Sequence, residues 1–506
     1  LDANTTADNN TAVGKSALTA NTTGAGNVAI GKDALDSNTT ASNNVAIGID
    51  ALQSNTIGAE SVAIGAFALN AQNPASAASM YNVAVGHNSG AAVSTGIRNT
   101  LIGGLAGDAI TDADNNEAFG YGALSSNVLG SRSVAIGTAT LLSQNPASAT
   151  EMYNVAVGFE AGLSISTGVQ NTFIGGLAGD ANTTASNNTA VGYASLGANT
   201  TGTGNNAFGA LALDANTTGN YNVAIGDSAL GSVTTASNNT AVGSAAATAT
   251  TTGANNVAIG TDALITNTTA SNNTAVGYLS LRANTTGTQN TAVGANAGDA
   301  LTTGSYNVGL GNNSIGAVTT GSNNVGLGVQ ALFNTTGSRN VAVGTTAMNA
   351  NIGGSDNTAL GNNSLGANTT GTNNVAVGAA ALVANTTASN NVAVGQGAAA
   401  ANTTGTLNTA IGYSALDANT TASNNTAVGG NALGANTTGT ENTAVGVNSL
   451  DANTTGDFNT AFGTSALGAN TTADNNTAVG RNALVKNTTG SENTAVGSLA
   501  LDACTT

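Results

Sequence analysis

A short block ending in glycine recurs along the whole chain at a nearly constant spacing. The last Gly of each block gives 29 copies in 506 residues, from Gly14 to Gly497. Of the 28 intervals between them, twenty-five are 17 residues, two are 21 and one is 16. Such regular self-similarity is typical of solenoids, in which each repeat is one structural unit stacked on the next. We therefore expect residues 1–506 to form a single continuous repeat domain.

Each repeat contains a strand signal, a turn signal and a short apolar segment. The consensus is Asn-[Thr/Val]-Ala-[Val/Ile]-Gly-x-x-Ala-Leu-x-Ala-Asn-Thr-Thr-[Gly/Ala]-x-x, as residues 426–442 illustrate. Thr-Ala-Val-Gly alternates with the period of a strand, and Asn-Thr-Thr-Gly favours a turn. We expect Ala-Leu-x-Ala to form a second short strand. Together these signals predict an all-β protein, a parallel β-solenoid of the two-sheet β-roll kind with about 29 coils of 17 residues.

The strand block has one large and one small row of side chains. Its third position is large and apolar in all 29 units, whereas its second is Ala or Gly in all but two, which carry Leu101 and Phe173. Since neighbouring strand residues point to opposite faces, we expect the third position to face the core with the Leu of Ala-Leu-x-Ala. The Ala/Gly row would then face outward. Parallel coils about 4.8 Å apart would make a rod roughly 140 Å long, with an outward stripe on the order of 1,400 Å².

Two units are longer than the rest. Both carry the insertion Gln-Asn-Pro-Ala-Ser, at residues 72–76 and 144–148, and both end in Met-Tyr-Asn-Val-Ala-Val-Gly. Their separation equals three ordinary units plus one long unit, which indicates that a block of four units was duplicated. Loops on a rigid scaffold commonly carry function. Tyr81 and Tyr153 therefore mark either binding loops or insertions that the fold merely tolerates.

The composition excludes several classes of function. Eight Lys plus Arg against 25 Asp plus Glu give a net charge of −17, which disfavours a nucleic-acid groove. One Cys, Cys504, gives neither a disulfide framework nor a zinc site, and His87 lies 24 coils away from it, too far for a dyad. No apolar run approaches the length of a membrane helix, which is roughly 18 residues, and no signal peptide is visible. We expect no enzyme activity, no catalytic, cofactor-binding or metal-binding residues, and no cofactor.

Two patterns resemble binding motifs but lack the neighbouring sequence that such motifs need. Gly326 to Ala331 matches the dinucleotide fingerprint G-x-G-x-x-A, but an Asn-Thr-Thr-Gly turn follows where that motif needs a helix. We interpret Gly326 as a substitute for the usual Ala. Some units carry Asp after the Leu, but too many neighbouring units lack it for a continuous metal ladder; examples are Asp36, Asp214, Asp417 and Asp451.

Asparagine recurs at two positions of the unit. One Asn precedes the strand in 27 of 29 units, with Ser61 and Ser133 in the others. It predicts either a ladder of amides bonded from coil to coil or a row that holds glycans or ions. The second Asn begins 17 Asn-Thr-Thr triplets. These are formal N-glycosylation acceptors, and they equally suit a turn.

Several of these segments resemble a known family. Asn27 to Gly31, Ser61 to Gly65 and Asn273 to Gly287 are similar to the head repeats of YadA-type trimeric autotransporter adhesins and to repeats of phage tail-fibre and surface-fibre proteins. The resemblance implies a left-handed parallel β-roll, a homotrimer, and display on a cell or virion surface for attachment. The chain departs from the adhesins in its longer coil and in lacking their neck, coiled-coil stalk and membrane anchor, and it shows no endosialidase-type chaperone domain.

The expected function is that of a structural and adhesive extracellular fibre, whose partners are further copies of itself and a host surface or glycan. The alternative is an ice- or crystal-surface-binding protein that uses Thr and Asn ladders. A polysaccharide-cleaving solenoid is disfavoured because no cluster of carboxylates is apparent. The chain begins with Leu-Asp-Ala-Asn-Thr-Thr and ends with Leu-Asp-Ala-Cys-Thr-Thr, the same phase of the repeat. We expect it to be a segment of a longer protein or a subunit joined end to end in a filament.

Overall fold

The computed structural model describes residues 2–506, which contain strands and turns and no helix. It is a parallel β-solenoid of 29 turns, in which like residues of adjacent coils are 17 residues apart in most of the chain, so the expected fold class is confirmed. The chain divides into two compact units, Leu1–Asn255 and Asn256–Thr506. The left-handed winding and the single continuous domain stay predictions.

In the first unit, each repeat contributes one three-residue strand that pairs in parallel with the strand of the next coil. Two further pairs of two-residue strands, β4 with β6 and β10 with β12, accompany the insertions. The strands are β1 (Thr11–Val13), β2 (Val28–Ile30), β3 (Val45–Ile47), β4 (Gly58–Ala59), β5 (Val62–Ile64), β6 (Ala78–Ser79), β7 (Val83–Val85), β8 (Thr100–Ile102), β9 (Glu117–Phe119), β10 (Gly130–Ser131), β11 (Val134–Ile136), β12 (Thr150–Glu151), β13 (Val155–Val157), β14 (Thr172–Ile174), β15 (Thr189–Val191), β16 (Asn206–Phe208), β17 (Val223–Ile225) and β18 (Thr240–Val242).

The second unit repeats the same coil without insertions. Each strand pairs in parallel and in register with the next, so that like residues stack on like, as Ala427 does on Ala444. The strands are β19 (Val257–Ile259), β20 (Thr274–Val276), β21 (Thr291–Val293), β22 (Val308–Leu310), β23 (Val325–Leu327), β24 (Val341–Val343), β25 (Thr358–Leu360), β26 (Val375–Val377), β27 (Val392–Val394), β28 (Thr409–Ile411), β29 (Thr426–Val428), β30 (Thr443–Val445), β31 (Thr460–Phe462), β32 (Thr477–Val479) and β33 (Thr494–Val496).

The predicted orientation of the strand is wrong. The second residue faces the interior: Ala427 and Ala444 are fully buried, whereas Val428 beside them is only partly buried and Ile225 is 41% exposed. The core lies between this row of Ala and the row of Leu from the Ala-Leu segment, for example Leu433, which is fully buried as expected. The interior of a coil lies between one strand and one turn segment. Because this space is narrow, the strand residue that faces the Leu must be small.

The two large residues in the Ala row show how tightly this core is packed. Leu101 and Phe173 are fully buried. In the same two repeats, Gly107 and Gly179 replace the usual Leu. A Cβ added to Gly107 would lie 2.8 Å from the Leu101 side chain, and one added to Gly179 would lie 2.6 Å from the Phe173 ring. The core volume is therefore conserved by exchanging a large residue on one side for glycine on the other.

The Ala-Leu segment is not a second strand, contrary to expectation. Alternate residues in it adopt left-handed backbone, as at Asn431 (φ 52°) and Leu433 (φ 51°). This segment turns rather than extends, but it still bonds to the next coil, because the Leu433 N–H donates to the Ser449 carbonyl at 3.0 Å. The solenoid consequently has one strand per regular coil, and hydrogen-bonded turns close its other side.

Glycine ends every three-residue strand for two physical reasons. The 29 block glycines have φ between 129° and 142°, a region that side chains rarely adopt. Most of them also lie against the glycine of the next coil: a Cβ added to Gly429 would be 2.5 Å from the carbonyl oxygen of Gly446. The constant Gly of the repeat is thus required by both the turn and the close approach of neighbouring coils.

The single shorter interval is absorbed in the turn. Thr335 takes the buried position that Asn occupies in most other coils, and Asn351 donates to its hydroxyl at 3.2 Å. Asn334, the Asn of this Asn-Thr-Thr triplet, is shifted to the partly buried position before it. The coil therefore keeps its buried polar contact after losing one residue.

The corrected orientation of the strand can be tested with the same new side chain on adjacent residues. We expect Ala427→Thr to lower the free energy of unfolding by roughly 2–3 kcal/mol, because it adds volume and a hydroxyl to a closely packed core. Val428→Thr should lower it by clearly less, since this side chain lies outside the core. Thermal unfolding followed by circular dichroism would measure both, and the opposite ranking would restore the original orientation.

Adjacent glycines offer a second matched test. Gly429→Ala should destabilise the protein by roughly 3 kcal/mol, because it combines an unfavourable φ with overlap against Gly446. At Gly430 the nearest atom to an added Cβ is 3.9 Å away, and Gly430→Ala should be nearly neutral or slightly stabilising. Equal melting temperatures for the two variants would contradict this account of the repeat.

Candidate functional surfaces

The first and third residues of the three-residue strands point away from the core and form one continuous surface in each unit, which we call the strand face. The third row contains only Val, Ile, Leu and Phe, and the first row mostly Val and Thr. Residues such as Ile136, Phe208 and Ile225 are each about 40% exposed. Exposed aromatic residues follow the strand glycine in several coils and border this face; they are Tyr121, Phe159, Tyr193, Tyr278 and Tyr413.

Glu117 is the one charged residue in the first row of the described three-residue strands. It lies on β9 between Thr100 of β8 and Val134 of β11, and neither neighbour carries a positive charge. Burial among these side chains raises the pKa of the Glu117 carboxyl. Covering the strand face at this position would take the Glu117 carboxylate out of water, which is energetically unfavourable.

Two ladders of buried Asn join the coils. In the strand Asn ladder, formed by the Asn before each strand, the Asn442 N–H donates to Oδ1 of Asn425 at 2.9 Å. Oδ1 of Asn442 accepts in turn from the Asn459 N–H at 2.9 Å, and its Nδ2 donates to the Gly456 carbonyl at 2.8 Å. The Asn before the strand is thus a structural bridge between coils, as one of the two sequence hypotheses predicted.

The two Ser residues in this ladder are compensated by the insertions. Nε2 of Gln72 donates to the Ser61 hydroxyl at 3.1 Å, and Oε1 of Gln72 accepts from Nδ2 of Asn82 at 2.9 Å. Gln144 makes the same bridge between Ser133 and Asn154 in the second long coil. The first residue of each insertion therefore restores the amide that Ser lacks.

The turn Asn ladder is formed by the Asn of the Asn-Thr-Thr triplets. Nδ2 of Asn453 donates both to Oδ1 of Asn436 at 2.8 Å and to the Gly456 carbonyl at 3.0 Å. Asn436 and Asn453 are fully buried. In the folded chain the nitrogen that would carry an N-glycan is thus enclosed and uses both of its hydrogens, which favours the turn interpretation.

The two Thr residues after this Asn have different surroundings. The first is partly buried and its hydroxyl donates to the next coil, as Thr437 does to the Thr454 carbonyl at 3.0 Å. The second is exposed and forms a column from Thr370 to Thr489, one residue per coil. Of these two rows, the outer one is placed to present its hydroxyls to a flat ligand.

Each insertion leaves a notch beside the short strand that it adds. The first notch has a volume of about 290 Å³ and is lined by Ile57, Ala59, Ala78 and Ser79 among others. The second, about 160 Å³, is lined by polar and charged residues: Asp114, Asn115, Ser131, Arg132, Ala149, Thr150 and Glu151. The two notches occupy corresponding positions in the two copies of the duplicated block.

The charged residues of the second notch form one cluster with Tyr153. Nη2 of Arg132 lies 3.0 Å from Oε1 of Glu151, and the Tyr153 hydroxyl donates to Oε2 of Glu151 at 2.6 Å. The guanidinium carbon of Arg132 is 5.7 Å from the centre of the Tyr153 ring. The hydrogen bond to Glu151, together with burial, raises the pKa of Tyr153.

The short coil produces a further depression, on the turn side of the second unit. It has a volume of about 440 Å³ and its lining is mostly apolar, with Ala317, Ala350 and the exposed Ile352 contributing together with several Thr. It follows from the missing residue, which shortens the turn between its neighbours.

The remaining residues singled out in the sequence are dispersed. His87 is exposed and its ring packs edge-on against Phe67 at 6.2 Å, and Cys504 is partly buried. Gly326 is buried in β23 at the Ala position, and turns follow it instead of a helix.

Burial is the main cause that raises the pKa of the four Asp carboxyls named above, Asp36, Asp214, Asp417 and Asp451. Within residues 2–506, no group of three or more His, Cys, Asp or Glu is placed to hold a metal ion.

No protein-family model matches the chain, and no curated protein matches it. No helix in the described part of the chain is long and apolar enough to cross a membrane.

The strand Asn ladder can be tested at one rung. Asn442→Ala removes the acceptor of the buried Asn459 N–H, and we expect the free energy of unfolding to fall by about 1–3 kcal/mol. Thr438→Ala, at an exposed residue of the same coil, should stay within about 0.5 kcal/mol of the wild type. Chemical unfolding curves of the two variants would decide, and an Asn442→Ala protein as stable as the control would remove the ladder from the account of stability.

Proposed function

We propose that the protein is a structural and adhesive extracellular fibre protein, which assembles side by side into a parallel homotrimer through the strand face and performs no catalysis. The observation that carries this proposal is the outward row of Val, Ile, Leu and Phe on every three-residue strand. An apolar third row that repeats in every coil suits association with an identical copy, because each coil then meets the same kind of residue; Glu117 in the first row interrupts the face locally.

The extent of the strand face supports association. With 14 or 15 three-residue strands in each unit, spaced about 4.8 Å apart, a strip about 10 Å wide covers on the order of 700 Å² per unit. Soluble monomers seldom expose apolar patches above about 300–600 Å², and a stable interface buries about 800 Å² per partner. Each unit therefore carries nearly the area that one such interface needs.

This interface replaces the one expected from the sequence. The Ala/Gly row is buried and has no outward stripe, so variants such as Ala427→Lys and Ala444→Lys would disrupt the core and cannot test association. The strand face takes over its role with larger side chains, which bury more apolar area per residue than Ala would.

The resemblance of the repeats to YadA-type heads and surface-fibre proteins supports the same function. It is the source of the proposed three chains, of the location on a cell or virion surface, and of a host surface or glycan as a partner. In such a fibre the coils would supply reach and stiffness, and many weak contacts along them would add up to firm attachment.

Binding to an ice or crystal surface is the second candidate function, and the exposed Thr column is the observation that favours it. A single column of hydroxyls offers one line of contacts to a lattice, because the hydroxyls of the first Thr residues donate to the next coil. Inhibition of ice recrystallisation by the purified protein would support this candidate over the fibre.

Light scattering tests the assembly. We expect the wild-type protein at micromolar concentration to have three times the 48.2 kDa mass of one chain. The double variant Val428→Lys/Val445→Lys places two charges on the strand face and should lower the mass to that of one chain while the circular dichroism spectrum stays the same.

The matched control is Thr438→Lys/Thr455→Lys, which adds the same charges to the exposed Thr column of the same coils. It should keep the mass of the wild-type assembly. A single-chain mass for the wild type would refute the trimer, and equal losses in the two double variants would show that charge alone, not the strand face, controls association.

A further inference from the structure

We propose that the second notch and Tyr153, which contacts its Arg132 and Glu151, together bind a neutral glycan: Tyr153 stacks against a sugar ring, and Asp114, Arg132 and Glu151 bond its hydroxyls. The proposal gives the adhesive function a site and a class of ligand, and in that respect it rests on the proposed function. It is carried by a comparison within the chain, since the duplicated block contains the same notch twice with different chemistry.

The backbone around the two notches is the same. In each, a two-residue strand of the insertion pairs in parallel with the preceding coil, β6 with β4 and β12 with β10. In each, the following Met is fully buried and the next Tyr is exposed with a left-handed φ, 54° at Tyr81 and 51° at Tyr153. The notches therefore differ in their side chains and not in their construction.

The second notch differs from the first at three corresponding side chains. Where the first has Ser42, Glu60 and Ser79, the second has Asp114, Arg132 and Glu151. Arg132 and Glu151 pair only because both changes are present, and their pair also holds the Tyr153 hydroxyl. A tolerated insertion requires none of these residues, because Gln144 and the buried Met152 already complete the coil.

The cluster holds an aromatic ring that stays accessible to solvent. Arg132 lies over the ring at 5.7 Å, and the ring's hydroxyl is tied to Glu151, yet Tyr153 remains 45% exposed. The electron-rich face of an aromatic ring attracts the weakly positive C–H groups of a sugar. Since the ring is already held, little side-chain entropy is lost when a ligand stacks on it.

The polar groups around the ring suit hydroxyls. Each Glu151 oxygen accepts one bond in the cluster and has a second lone pair to offer, and Arg132 has further N–H donors beyond its pair with Glu151. Oδ1 of Asp114 accepts from the Ile97 N–H at 2.8 Å, which fixes this carboxylate at the edge of the notch. A sugar hydroxyl can donate to the carboxylates and accept from the guanidinium at once.

Charge selects among glycans. Asp114 and Glu151 outnumber Arg132, and the chain as a whole has a net charge of −17. An acidic sugar would be repelled by this surface, particularly at low salt. A volume of about 160 Å³ accommodates a single sugar unit, so the site fits one neutral residue of a longer chain.

The test uses the full 506-residue protein on a panel of immobilised oligosaccharides that end in glucose, galactose, mannose, N-acetylhexosamine or sialic acid. We expect binding to one or more neutral termini and none to the sialylated ones. Tyr153→Ala and Glu151→Gln should weaken that binding at least about ten-fold. Tyr81→Ala, the same change at the first notch, should leave it unchanged.

Three results would overturn the glycan site: no binding to any neutral terminus, wild-type binding by Tyr153→Ala, or an equal loss in Tyr81→Ala. Light-scattering mass and thermal unfolding of each variant are measured alongside and should match the wild type. A trimer that binds no glycan would refute this site and leave the fibre intact, whereas a single chain that binds through Tyr153 would refute the trimer and leave the site.

Discussion

The hydrogen bond from one coil to the same residue of the next is the interaction on which the structure depends. In the strand Asn ladder a single side chain accepts from the backbone of one neighbour and donates to the carbonyl of another, and it does so while fully buried. A buried donor or acceptor without a partner costs about 1–3 kcal/mol. Each coil must therefore place Asn at the same position of the coil, and this requirement keeps the repeat length nearly constant throughout the sequence.

A coil held in this way has little room for an apolar core. Ala427 faces Leu433 across an interior so narrow that Leu101 and Phe173 fit only where glycine replaces the opposite Leu. Polar ladders thus carry much of the cohesion that side-chain burial provides in an ordinary domain. In the three-residue strands Val and Ile lie on the strand face and Ala lies inside, whereas outside these strands Ile110, Ile165 and Ile315 are fully buried.

The burial of the small Ala row and the exposure of the larger Val row explain which parts of the structure could be predicted. The strand before each repeat glycine and the buried Leu follow from period and composition and were predicted, and the Asn ladder was one of two hypotheses; the second strand predicted at Ala-Leu-x-Ala was wrong. The orientation of Ala and Val was predicted wrongly, because alternation identifies two faces and hydrophobicity then assigns the larger residue to the core. The exchange of Leu for Gly107 and Gly179 next to Leu101 and Phe173 was the signal in the sequence that places the Ala row inside.

Other features lay beyond local reasoning. Leu433 adopts a left-handed backbone that Leu visits only rarely, so no propensity predicts it. Its N–H bonds to the Ser449 carbonyl of the adjacent coil. The cluster of Arg132, Glu151 and Tyr153 was equally hidden, because its members are brought together by the pairing of β10 with β12. The sequence did mark Tyr153 and its insertion, but it left the partners of that tyrosine unidentified.

The insertions show how such a fold can acquire recognition without losing stability. Gln144 bridges Ser133 and Asn154, so the ladder continues through a coil that is longer than its neighbours. Once that amide is supplied, Arg132, Glu151 and Tyr153 are no longer needed by the coil and are free to vary. In the regular coils most positions are constrained by the core, by the ladders or by the strand face. New binding chemistry therefore has its greatest freedom at the few places where the repeat is interrupted and its buried bonds are still complete.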